Sequence, residues 1–165
     1  MALAWKAGWV QALRGSNPLS SANMTFNEAP MFSSIFVNLP ISNLKKSVEF
    51  FGGLGFTFNA KFTDEQTTCM IINDNIFVML SEKEKYANFT PKPLASPDVT
   101  EMILSFSCKS ADEVRAIAQK AFELGAKRVN DPEDIGFMFS WAFEDLDGHL
   151  WDLFWMNPDH VQPTN

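Results

Sequence analysis

The chain has 165 residues, 46% of them apolar and including 16 Phe and 5 Trp, enough for one domain or two small modules on a shared core without a disulfide or metal staple. Thirteen Lys and Arg against 20 Asp and Glu give a net charge of −7, which argues against nucleic-acid binding because phosphate tracking needs a basic face. No run of about eighteen apolar residues predicts a membrane span, and Cys69 and Cys108, far apart in apolar runs, predict two buried thiols in a reducing, cytoplasmic compartment.

Residues 1–27 hold Lys6 and Arg14 but no acid, so all 20 acidic residues follow them. Leu3, Trp5, Trp9, Ala12 and Leu13 fit a short amphipathic helix ending at Gly15, followed by a Ser/Asn/Pro stretch at 16–23. Residues 1–30 therefore form an N-terminal extension, read as an accessory helix or, alternatively, an organellar transit peptide.

The remainder reads twice through one pattern. A strand at 35–39 precedes a helix capped by Asn43, with Leu44, Val48, Phe51 and Leu54 on one face and Gly55 as its stop. Strands follow at 56–62, 67–72 and 76–80, the last two joined by Asn73-Asp74-Asn75. The second pass gives a strand at 101–108 and a helix at 110–124, with a Ser110/Glu113 capping box and Gly125 as stop. Strands at 127–129, 137–143 and 150–156 complete it, with Asp147-Gly148 turning between the last two. Module one is 33–81, the Pro- and Lys-containing linker 82–98, module two 99–158, and a polar tail occupies 159–165.

Both modules spell strand, helix, three strands, and their caps stand 67 residues apart. The run F-V-N-L-P-I-S-N-L-K-K-S-V-E-F-F-G-G-L-G at 36–55 and D-L-D-G-H-L-W-D-L at 145–153, on this duplicated pattern, resemble the glyoxalase/bleomycin-resistance/extradiol-dioxygenase (vicinal oxygen chelate) superfamily over about 33–158. The resemblance implies an α+β fold in which two βαβββ modules form a curled, incompletely closed mixed-sheet cup. It also implies a homodimer and a small-molecule site inside the cup.

In metal-using members of that superfamily each module supplies a ligand on its first strand and another on its last. The matching positions here are Phe36, Met79, Ile103 and Asp152, of which only Asp152 is a carboxylate or imidazole. No metal ligand set and no cofactor are therefore predicted, because a divalent transition metal needs three or more such ligands. Strand alternation puts Phe36, Asn38, Phe77, Met79, Glu101, Ile103, Ser105, Ser107, Asp152 and Phe154 on the cup side. That is an apolar lining with few polar groups, suited to a small apolar or aromatic ligand. A carboxylate aimed into such a lining costs several kcal/mol unless it is hydrogen-bonded, so Asp152 is the candidate catalytic residue.

Other chemistries lack their residues. Gly52-Gly53-x-Gly55 ends a helix where a phosphate loop would open one, no Cys-x-x-Cys occurs, and His149 and His160 lack metal or triad spacing. Trp141 reads as core or interface, and Tyr86 as linker packing. Three functions remain: a metal-free binding protein; a lyase, isomerase or dioxygenase with Asp152 as general base or metal ligand; and an assembly module with a filled cup.

Overall fold

The computed structural model describes residues 32–96 and 98–160, so the expected N-terminal helix and residues 161–165 of the tail lie outside the described residues. Module one runs β1 (Ile35–Ile41), α1 (Leu44–Gly53), β2 (Thr57–Asn59), β3 (Thr67–Ile71) and β4 (Ile76–Glu82). A helical turn, α2 (Lys83–Tyr86), opens the linker. Module two runs β5 (Ile103–Ser107), α3 (Ala111–Glu123), β6 (Lys127–Arg128), β7 (Glu133–Asp134), β8 (Met138–Glu144) and β9 (Leu150–Met156).

The duplication is explicit in the topology. The first sheet is ordered β1-β4-β3-β2 and the second β5-β9-β8-β6, with β7 hairpinned onto β8. In both, the first strand lies parallel to the last, Phe36 opposite Phe77 and Ser105 opposite Asp152, and the remaining pairs are antiparallel. The expected pair of βαβββ modules with mixed, unclosed sheets is thus the observed architecture, although the two sheets are separate.

The helix signals work as their chemistry dictates. Asn43 Oδ1 accepts from Lys46 N at 2.9 Å, and Ser110 Oγ accepts from Glu113 N at 3.1 Å. Glu113 completes its box one residue early, accepting from Lys109 N. Gly55 and Gly125 stop the two helices at φ of 96° and 104°, a region that side-chain-bearing residues avoid. Ser110→Ala should cost about 1 kcal/mol through the lost cap, read as a lower urea midpoint with unchanged m-value.

Two strands depart from expectation. The run at 56–62 is a three-residue strand that gives way to a 3-10 turn at Ala60–Phe62, where Asn59 Oδ1 accepts from Lys61 N and draws the backbone out of the sheet. The two-residue strand β7 escapes the sequence because Glu133 and Asp134, both exposed, carry no alternating pattern.

The core explains where the helices sit. One apolar cluster joins Leu39, Ile41, Phe50, Phe51, Val78 and Leu80 of module one to Val114, Ala118, Phe143, Trp151 and Leu153 of module two. Phe51 lies 5.0 Å from Trp151 and Phe50 6.3 Å from Phe143, ring centre to ring centre, so α1 packs against both its own sheet and the other module's. The buried stripe is accordingly centred on Ser47, Phe50 and Phe51, and of the expected face Leu44 and Leu54 pack with Phe51 against the same core. The helices lie between the sheets, and the face of each sheet away from them points outward.

Candidate functional site

On the first sheet the outward face is set by register: Phe36 with Phe77 and Ile71, Asn38 with Met79 and Cys69, Pro40 with Ser81 and Thr67. Phe36 and Phe77 stack at 4.6 Å with 16° between ring planes. Asn38 Nδ2 donates to Phe36 O, and Tyr86 Oη donates to Asn38 O at 3.2 Å. Lys85 reaches Asp64 across the sheet. Met79, Cys69, Thr67 and Ser81 are buried, the last two sharing a hydroxyl hydrogen bond of 2.8 Å. Half of this face is therefore buried, and the stacked Phe36–Phe77 pair lies half-buried at its other end.

The second sheet's outward face is open. Its rows are Ile103 with Leu150 and Glu144, Ser105 with Asp152 and Ala142, and Ser107 with Phe154 and Ser140. Ile103, Ser105 and Ser107 are exposed, and Asp152 and Phe154 half-buried. Ser105 Oγ donates to Asp152 Oδ2 at 3.1 Å. Within one chain Asp152 is thus half-exposed beside Ile103, Ala142, Leu150 and Phe154, and the desolvation expected of a carboxylate in a closed apolar cup is not present on this open face.

The predicted site residues thus fall into two groups: Phe36, Asn38, Phe77 and Met79 on one sheet, and Ile103, Ser105, Asp152 and Phe154 on the other. Within one chain the groups face opposite ways, because the packed helices separate the sheets. Glu101 joins neither. It precedes β5, where alternation does not apply, and its carboxylate meets His149 Nδ1 at 2.8 Å.

The Asp-x-Asp-Gly-His hairpin is a clamp between the modules. Asp145 Oδ1 accepts from Asp147 N and His149 N at 2.9 and 3.0 Å, and Oδ2 accepts from Trp151 Nε1 at 2.9 Å. Asp147 Oδ1 then accepts from Ser42 N at 2.7 Å, and Oδ2 from Ser47 Oγ at 3.4 Å, both in module one. His149 Nε2 donates to Pro40 O at 2.8 Å. Pro40 suits this place because β1 is an edge strand. Sequence reading missed this role of His149, since its partners Pro40 and Glu101 lie in other elements.

Neither thiol is built as a nucleophile: burial raises the Cys69 pKa, and burial together with the Glu113 charge raises that of Cys108. Trp141 is a core residue, its indole donating to Asn130 O. Among the described residues no three His, Cys, Asp or Glu side chains cluster as metal ligands, and no helix is long and apolar enough to cross a membrane. At the four positions where the fold's metal ligands would stand, Phe36, Met79, Ile103 and Asp152 offer one carboxylate and one buried thioether, a donor set that does not fit a divalent transition metal.

Comparison with known proteins agrees with this architecture. Residues 33–73 match the family model for the bleomycin resistance protein-like N-terminal region. Among curated proteins none matches the chain. Solved structures do. A hypothetical protein, SA1046, from S. aureus is 27% identical over 76% of this chain and 95% of its own, with a TM-score of 0.66. A glyoxalase-related enzyme from Fulvimarina pelagi is 18% identical over 79% of this chain and 90% of its own, TM-score 0.66. The fosfomycin resistance protein FosX from Listeria monocytogenes is 17% identical over 78% and 98%, TM-score 0.57. The resemblance seen in the sequence is borne out: the chain carries a bleomycin-resistance-protein-like first module and has the glyoxalase/bleomycin-resistance/dioxygenase fold.

Proposed function

We propose that the protein is a metal-free small-molecule binder whose pocket forms between two copies, the open second-sheet face of one copy closed by the Phe36–Phe77 end of the other. The observation that carries this reading is the Ser105–Asp152 pair at the centre of an open sheet face, with Ile103, Leu150, Ala142 and Phe154 beside it and Glu144, Ser107 and Ser140 toward the ends of the rows. Apolar side chains around a small number of oriented polar groups are the usual make-up of a ligand site. Two further features support pairing. The strands β1 and β5 are both sheet edges, and each has one neighbour among the described residues. The dimer also brings together the two groups of residues that one chain holds apart. The unpaired cysteines support a reducing, cytoplasmic setting.

A second reading uses the same carboxylate as a general base. Ser105 occupies Oδ2, and Oδ1 has no hydrogen bond among the described residues, so a substrate proton is taken there.

Light scattering at micromolar concentration should give a dimer mass. Calorimetry with a panel of apolar and aromatic hydrogen-bond donors, bleomycin included, should find a binder that Asp152→Asn weakens about tenfold, roughly 1.4 kcal/mol, with fold and dimer intact. A monomer, or a destabilised Asp152→Asn protein with unchanged affinity, would remove the site. Turnover of a bound panel member, abolished by the same substitution, would select the enzymatic reading.

A further inference from the structure

The function above draws on only one edge of a large feature, the strand β5 that carries Ser105 and Ser107. On the inner side of the sheets, at the end of the sandwich flanked by β1 and β5, a cleft of about 920 Å³ opens between the modules. Ile35, Val37 and Phe56 line it from module one, and Leu104, Phe106 and Ile117 from module two. Cys108 stands on its wall, and Lys109 and Glu113 on its rim. Ile35, at the lip, is 56% exposed. An apolar concavity of this size at a module junction is normally covered.

We propose that the chain's own N-terminal segment, residues 3–13, docks in this cleft through Trp5, Trp9, Ala12 and Leu13. Three observations carry the choice of occupant. The described chain begins at residue 32 and reaches the cleft lip at Ile35, so the segment is tethered at the mouth of the groove it fills. The roughly twenty residues between Leu13 and Ile35 span up to about 66 Å when extended, ample to lay the segment across the groove in either direction. The segment's pattern also matches the cleft: residues at i, i+4, i+7 and i+8 make one apolar stripe, while Lys6 and Arg14, with no acid within ten residues of either, complement a body that holds 19 of the 20 acids, Glu113 on the rim among them. Tethering makes docking intramolecular, so a modest apolar contact suffices at any protein concentration.

The experiment uses the full-length chain and its own thiols. Cys108 lines the cleft, whereas Cys69 is buried in the first sheet and serves as internal control. N-ethylmaleimide labelling is followed at each cysteine by peptide mass spectrometry. Trp5→Ser/Trp9→Ser should speed Cys108 labelling at least tenfold and leave Cys69 and the melting temperature of the body unchanged. In the reciprocal variant, Ile35→Glu at the exposed lip, trypsin should cleave after Lys6 and Arg14 several-fold faster. Equal Cys108 rates with and without the two tryptophans would overturn the proposal. So would protection that rises with protein concentration equally in the wild type and in the double variant, which would make a second copy the occupant, or a co-purifying small molecule in the native mass spectrum whose removal alone exposes Cys108.

Discussion

Trp151→Ala should cost about 3–5 kcal/mol, a large share of the 5–15 kcal/mol typical of a domain, and should do so in one cooperative transition. Trp151 is 1% exposed. Its ring stacks near Phe106 of its own module at 5.5 Å and Phe143 at 6.3 Å, and meets Phe51 of the other module at 5.0 Å. Truncation leaves a void bounded by rings on three elements that cannot all collapse into it, and it strips Asp145 of the indole donor. Because the lost contacts belong to both modules, the modules unfold together. Urea denaturation followed by far-ultraviolet circular dichroism reads both points. Trp151→Phe, which keeps most of the ring volume, should recover more than half of the loss. A cost below about 1.5 kcal/mol, at the low end for a buried truncation, or two separate transitions, would mean that the modules are independent.

What sequence reading delivers here follows from the range of the interactions involved. The two helices were legible because their signals are local: Asn43 and Lys46, Ser110 and Glu113, Gly55 and Gly125 all act within a few residues. The sheet faces were legible for the same reason, since alternation alone puts Phe36 beside Phe77 and Ser105 beside Asp152 once the strands pair. The docking of one module on the other was not. It depends on Ser42 with Asp147, Pro40 with His149 and Phe51 with Trp151, pairs separated by about a hundred residues and drawn from types that occur all over a surface. Alternation says that two residues share a face; it is silent on what that face meets. Hence the same residues that spell one cup in the sequence occupy two opposed faces in the chain, and Glu101, just outside its strand, turns to His149.

Asp145 makes the second large prediction, and its two substitutions separate geometry from charge. The carboxylate is 3% exposed and accepts from two backbone N–H groups and the Trp151 indole. Asp145→Ala leaves these donors facing an apolar void; at about 1–3 kcal/mol for each unsatisfied buried donor, a loss of roughly 3–5 kcal/mol is expected after part is offset by no longer burying a charge. Asp145→Asn keeps an oxygen for Asp147 N and His149 N but sets an amide N–H₂ against the indole N–H, so its cost should be smaller. Its pH dependence is the sharper test. Burial raises the Asp145 pKa, and the His149 charge and the three hydrogen bonds only partly offset this. The folded chain then holds a proton that the unfolded chain has released between the ordinary Asp pKa and the raised one. Across that window the native state binds more protons, so the contribution of Asp145 to stability is fully present below the unfolded value and declines as pH rises through the folded one. The Asn side chain does not titrate. The stability gap between wild type and Asp145→Asn should therefore be widest in acid and narrow as pH climbs through the window, measured by urea melts from pH 3.5 to pH 8. A gap that instead widens with pH would show that the His149 charge and the three donors outweigh burial and hold the carboxylate as a stabilised anion at the heart of the intermodule clamp.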